Sequence, residues 1–236
     1  MVENNYKKMM EVKINTNYNL IKTDLYKKLK SKDSNITMID DIIIDTKATE
    51  IYIPSTANCA SKNAFESSFN LTNITVSPDN KWFKIIDGKM LVGKAYIEDE
   101  KYSILYFAAR DATNIKIPSY IKKINSYAFY QCEQLDTVEF ESGSELEIIF
   151  EYSFSKTGIE TLFIPDHVQI IEEDAFDDCP YLNEVHFSKE SELKIIGKYS
   201  FAHTSLNEIT VPKSVKKICE RAFSDCPYLE KVDFVE

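Results

Sequence analysis

A 47-residue period runs through the second half of the chain. The dipeptide Ile117-Pro118 returns as Ile164-Pro165 and, with valine for isoleucine, as Val211-Pro212. Cys132, Cys179 and Cys226 keep the same interval, as do Phe129, Phe176 and Phe223, and Leu135, Leu182 and Leu229. Four unrelated residue types held in register three times mean a stacked array. In such an array no unit buries its apolar face alone, so neighbours must do it. Arrays of this kind usually present a surface to a partner and rarely enclose a reaction.

Each unit divides into two similar halves. Phe154 and Phe201 fall between the other phenylalanines, so the series Phe129, Phe154, Phe176, Phe201 and Phe223 alternates a longer and a shorter step. A finer pattern of apolar, two variable, apolar, variable, apolar begins at Ala48, Leu71, Ala112, Leu135, Ile159, Leu182, Leu206 and Leu229. Except from Leu71 to Ala112, these starts are evenly spaced within the range of leucine-rich repeats, roughly 20–29 residues. The one exceptional step is too long by about one loop. The pattern therefore predicts about eight coils.

Tripeptides such as Val138-Glu139-Phe140 and Val185-His186-Phe187 alternate, which predicts short parallel strands with one face buried. Pro118, Pro165 and Pro212 close their strands, because proline has no N–H for a ladder. After each proline the apolar residues are spaced 3, 4 and 1, as in Val215, Ile218, Ala222 and Phe223. That spacing is a helical stripe, so a short helix or compact turn is expected. The fold class is thus an α/β repeat, a solenoid of short parallel strands with short helices or turns. The small residue before each phenylalanine suggests close approach between coils, with the rings stacked as an internal column.

These residues carry a family resemblance. The run Ile-Pro-x-x-Val-x-x-Ile-x-x-x-Ala-Phe-x-x-Cys-x-x-Leu-x-x-Val-x-Phe at 164–187, repeated at 211–234, resembles BspA-like leucine-rich repeats. So does the segment from Phe83 to Leu91, where that family places an Ile-Asp-Gly hairpin before the next Ile-Pro strand. Asp87-Gly88 between apolar runs is also a hairpin signal in its own right. A second strand, Ser103 to Phe107, can pair back after the charged loop from Glu98 to Lys101. The resemblance covers about residues 41–236, with a hairpin insertion at about 82–110 that accounts for the long step. It implies an adhesin-type surface protein of host-associated bacteria or protists, linked to adhesion and matrix binding.

Residues 1–40 lack the repeat and are expected to form an N-terminal cap or a tail. A helix from about Leu20 to Leu29 is possible there, and its lysines admit a membrane-surface or partner helix as the other reading. Nothing near Met1 has the long apolar core and small-residue cleavage site of a secretory signal. No apolar run approaches the length a spanning helix needs, so none is expected. The resemblance points to the cell surface, and the missing signal and span point to the cytoplasm. At the other end only Val235 and Glu236 follow the last strand, Leu229 to Phe234. An uncapped coil there would favour end-to-end self-association.

The five cysteines do not read as a disulfide framework. Two solenoid steps separate the repeated ones by roughly 9–10 Å, beyond the reach of a bridge, about 7 Å between Cα atoms. Buried reduced thiols are expected. A net charge of −10 argues against a nucleic-acid backbone as partner. His167, His186 and His203 occupy different places in the repeat, none at ligand spacing. No calcium loop, nucleophile elbow, phosphate-cradling glycine loop or His-Glu-x-x-His occurs. We expect no catalytic residue, cofactor or metal. Asn35-Ile36-Thr37, Asn70-Leu71-Thr72 and Asn73-Ile74-Thr75 match the glycosylation pattern, which matters only on an exported chain. Trp82 adjoins the hairpin as a packing anchor.

If the strands share one sheet, their outward side chains form columns. One column reads Tyr52, Thr75, Lys116, Glu139, Phe163, His186, Thr210 and Asp233. A neighbouring column reads Asn73, Asn114, Thr137, Thr161, Glu184, Glu208 and Lys231. Solenoids use continuous faces for recognition, and exposed aromatics are favoured anchors. The first column, with Phe163 and His186 at its centre, is the candidate site for a protein or glycan ligand. The function expected is a non-catalytic binding module, adhesin-like, with an intracellular scaffold for protein–protein interaction as the alternative.

Overall fold

The computed structural model describes residues 36–39, 42–45 and 47–235, with side chains from residue 47. The expected helix from Leu20 to Leu29 lies outside the described residues. In chain order the strands are β1 (Ile36–Ile39), β2 (Ile42–Asp45), β3 (Glu50–Ile53), β4 (Asn73–Val76), β5 (Phe83–Ile86), β6 (Met90–Gly93), β7 (Ile104–Ala108), β8 (Asn114–Ile117) and β9 (Lys123–Ile124). They continue as β10 (Thr137–Phe140), β11 (Ile148–Ile149), β12 (Thr161–Ile164), β13 (Ile170–Ile171), β14 (Glu184–Phe187), β15 (Ile195–Ile196), β16 (Glu208–Val211), β17 (Lys217–Ile218) and β18 (Lys231–Phe234). Strands β1 and β2 form an antiparallel hairpin.

The rest is a solenoid with eight four-residue parallel strands, β3, β4, β8, β10, β12, β14, β16 and β18. Their alternation of exposed and buried residues follows the sequence pattern, as in Asn114–Ile117 and Glu208–Val211. A second, continuous parallel ladder joins the two-residue strands β9, β11, β13, β15 and β17. At its start β7 pairs in parallel with β9, and β6 and β5 extend it antiparallel. The Asp87-Gly88 hairpin is therefore built into the solenoid wall. Asp87 and Gly88 both have positive φ (50° and 66°), as a tight two-residue turn requires.

The helical stripe builds a turn joined to a two-residue strand, and no described residue is helical. The physical reason is where the N–H groups point. Phe129 donates to the Ser153 carbonyl of the next coil, Phe154 to Ala175, Phe176 to Ser200 and Phe201 to Ala222. These bonds run along the stack, and the N–H groups between them close i→i−3 turns, as Ala128 does to Asn125 and Tyr130 to Tyr127, so no i→i−4 helix forms. Two residues per coil, placed two before and two after the phenylalanine, adopt positive φ: Tyr127 and Gln131, Tyr152 and Lys156, Asp174 and Asp178, Tyr199 and His203, Arg221 and Asp225. From Tyr127 to His203 their N–H groups also donate to the following coil, as Gln131 does to Ser155 at 3.0 Å.

The expected phenylalanine column is present. Rings of Phe129, Phe154, Phe176, Phe201 and Phe223 stack nearly parallel, with centroids 4.6, 5.1, 5.1 and 5.7 Å apart. The first four are fully buried. Beside them Cys132, Cys179 and Cys226 alternate with Thr157 and Thr204. The Thr157 hydroxyl donates to the Phe154 carbonyl at 2.9 Å, and the Cys179 thiol donates to that carbonyl at 3.1 Å. All five cysteines are free thiols.

One buried side chain spans the coils on either side of the insertion. The buried Arg110 guanidinium donates to the carbonyls of Phe65, Ser68, Tyr127 and Ala128, at 3.0–3.3 Å. It also lies over the Phe107 ring at 4.4 Å. It thus joins the coil before the hairpin to the coil after it. At the last described coil the packing opens: Ile218, Val232, Phe234 and Val235 are exposed.

The four-residue strands pair in twos: β3 with β4, β8 with β10, β12 with β14, and β16 with β18. In three of these pairs the residue after the later strand donates back to the coil before: Glu141 N–H to Ile117 at 3.0 Å, Ser77 N–H to Ile53 at 2.8 Å and Val235 N–H to Val211 at 3.0 Å. Between pairs the corresponding donor positions are Pro165, facing Phe140, and Pro212, facing Phe187. Proline has no N–H to give. The alternate prolines of the 47-residue period therefore place seams between β10 and β12 and between β14 and β16.

Candidate functional site on the strand face

The strand registers put the candidate column together. Tyr52 lies opposite Thr75, Lys116 opposite Glu139, Phe163 opposite His186, and Thr210 opposite Asp233. Lys116, Glu139, Phe163, His186 and Thr210 are exposed, while Tyr52 and Asp233 are half-buried. Phe163 is 65% exposed, unusual for a large apolar residue inside a strand. Its ring stacks on the His186 imidazole, with centroids 4.6 Å apart and planes 19° apart. The imidazole Nε2 lies 2.9 Å from the Glu184 carboxylate, in the neighbouring column.

The seam between β10 and β12 opens into an open groove of about 670 Å³. Three members of the column line it, Glu139, Phe163 and His186, together with Asp166, His167 and Ser188 from the turns that follow the strands. Lys116, Thr210, Asp233 and Tyr52 stand elsewhere on the face, outside the groove. Sequence reading missed the turn residues. Their signal was Pro165, which marks the seam once the direction of the ladder bonds is known. The Asp166 carboxylate accepts from the Ser188 hydroxyl, tying two turns together.

Each histidine meets a carboxylate of another residue: His167 with Glu192 at 3.1 Å, His186 with Glu184, and His203 with Asp177 at 2.8 Å. The Asp177 hydrogen bond holds the His203 imidazole above its ordinary pKa. Burial pushes the Cys179 thiol up to about 11 and raises Cys132 as well, which keeps both as poor nucleophiles. Lys62 reaches across the insertion to Glu151 and Glu172. Burial and the neighbouring Glu151 raise Glu172. Burial would raise Glu151 too, but hydrogen bonds from Lys62 and Ser126 outweigh it and lower that carboxyl. This triplet fastens coils together. Among the described residues no group of three or more His, Cys, Asp or Glu could hold a metal ion. Among them, too, no helix is long and apolar enough to cross a membrane.

A second aromatic cluster, not foreseen from sequence, lies on the turn side. Tyr127 stacks on Tyr152 at 5.0 Å, Tyr130 stands edge-on to both, and the exposed Phe69 lies 6.3 Å from Tyr130. Arg110 brings it together by clamping the coils on either side of the hairpin. The tyrosines sit at and beside positive-φ positions, where sequence gives no hint of a shared surface.

Known proteins place this architecture. Residues 4–86 and 103–230 match a family described as the BspA type leucine-rich repeat region, in six copies. Among solved structures, the pneumococcal vaccine antigen PcpA is similar over 86% of this chain and 39% of its own, at 26% identity and a TM-score of 0.52. A leucine-rich repeat protein from Eubacterium ventriosum is similar over 78% of this chain and 48% of its own, at 21% identity and a TM-score of 0.66. The chain thus spans less than half the length of either. No curated protein sequence matches it. The family match covers most of the chain, and the chain belongs to the BspA-type leucine-rich repeat family.

Proposed function

We propose that this chain is the non-catalytic binding module of an adhesin-like surface protein, and that it holds a protein partner on its strand face. The observation that carries the proposal is the Phe163–His186 stack, exposed beside the groove at the β10/β12 seam. A large aromatic held rigidly at the surface, flanked by polar groups, has the make-up of an interface anchor. Membership of a family of interaction repeats supports the binding role. Similarity to a pneumococcal vaccine antigen supports display outside the cell. One observation favours the intracellular scaffold instead: five free thiols and no disulfide suit a reducing compartment.

Two experiments test this. Protease shaving of intact, unpermeabilised cells releases fragments of the chain if it is displayed, whereas full protection removes the adhesin role and leaves the scaffold. For a partner so identified, Phe163→Ala with His186→Ala is expected to weaken binding about 30-fold or more, as loss of a central anchor does. Unchanged affinity would remove the strand face from the account.

A further inference from the structure

The groove has a charge pattern as well as a shape. Glu139, Glu141 and Asp166 line it, and no lysine or arginine does. Two of these carboxylates have hydrogen-bond partners: Glu141 accepts from the Ser119 N–H at 3.0 Å, and Asp166 from the Ser188 hydroxyl. Among the described residues, however, none of the three has an ammonium or guanidinium within ion-pair distance, although Lys116 lies across the strands from Glu139. Some acids elsewhere on the solenoid are met by lysines, as Glu145 is by Lys101, Glu173 by Lys198 and Glu151 by Lys62. The groove is therefore a place where negative charge gathers without its counterpart, next to an exposed aromatic ring. The two imidazoles there are already engaged by Glu184 and Glu192.

We infer that the partner segment taken by this groove is a cationic peptide, with an arginine laid against Phe163 and its guanidinium shared with the carboxylates of Glu139 and Asp166. This rests on the reading of the strand face as the binding surface. Arginine fits best because its planar group stacks on an aromatic ring while its N–H fork engages carboxylates. The overall charge of −10 steers such a segment toward the molecule, and the groove selects where it settles.

The test uses the full chain and fluorescein-labelled seven-residue probes of arginine, glutamate and serine, with a sulfated oligosaccharide as anionic glycan. Binding is read by anisotropy at low and moderate salt. The arginine probe alone should bind. Glu139→Gln with Asp166→Asn should weaken it about ten-fold or more, and Phe163→Ala by a similar factor. Glu98→Gln with Glu100→Gln, which removes the same charge from the hairpin loop, should change it less than about two-fold. Circular dichroism and the unfolding midpoint confirm that each variant folds. No arginine-probe binding, or equal weakening by both charge-removing pairs, would overturn the inference. If the serine or sulfated probe binds instead and Phe163→Ala abolishes it, the cationic partner fails and the strand face survives. If a probe binds and no strand-face variant affects it, both fail.

Discussion

Arg110 shows how much one residue can carry in a repeat fold. Its guanidinium reaches four carbonyls on the two sides of the hairpin; those of Phe65, Tyr127 and Ala128 also accept a backbone N–H, whereas that of Ser68 accepts from Arg110. Arg110→Met keeps a long side chain but removes all four bonds and takes from the Ser68 carbonyl its guanidinium donor. We expect a loss of about 1–3 kcal/mol in chemical denaturation, the cost of one buried polar group left unpaired. A change under about 1 kcal/mol would mean that water or backbone relaxation replaces the clamp. His203 makes a smaller, pH-dependent contribution. The Asp177 carboxylate raises its pKa in the folded chain. The protonated imidazole therefore stabilises the fold fully below about pH 6.5, the unfolded value. That contribution fades as pH rises through the higher folded value. The gap in unfolding midpoint between the wild type and His203→Gln should accordingly be larger at pH 6 than at pH 8.5, and an equal gap at both would exclude the linkage. Alternation and spacing made the column residues legible in sequence. The Arg110 clamp was not, because its carbonyl partners lie 17 to 45 positions away and carry no side-chain signature.

At the scale of elements, the turn that follows each proline is where sequence and structure part. A 3-4-1 apolar spacing admits a helix, yet a coil this short closes only if its N–H groups point to the next coil. Positive φ at Tyr127, Lys156, Asp174 or His203 is what turns them there. Glycine or asparagine would have announced such positions; tyrosine and lysine do not. The strands were legible, since alternation sets both their extent and their outward faces. Their pairing in twos was not, although its cause was in view: proline at alternate coils withholds one donor per seam. Pro165→Ala supplies an N–H facing the Phe140 carbonyl. We expect a newly protected amide at position 165 in hydrogen exchange and a narrower groove. An amide that exchanges as fast as an open loop would show that the seam has another cause.

Across the whole molecule, the last described coil presents an apolar surface of Ile218, Val232, Phe234 and Val235, with Phe234 66% exposed. Apolar surface of that kind favours association. We propose that the 236-residue chain self-associates there, and we expect sedimentation to show concentration-dependent dimers or larger species that Phe234→Lys shifts toward monomer. A strict monomer at high concentration would dismiss this surface. The strand face and the turn side are separate surfaces of the same stack, each with its own aromatic cluster, and the account assigns binding to the first. The most direct measurement is site-specific photocrosslinking in cells, with a benzophenone side chain at position 163 on the strand face or at position 130 on the turn side. The account predicts a discrete protein adduct from position 163, reduced when Glu139→Gln and Asp166→Asn are added, and none from position 130. An adduct from position 130 alone would contradict it and move the binding surface to the tyrosines clamped by Arg110.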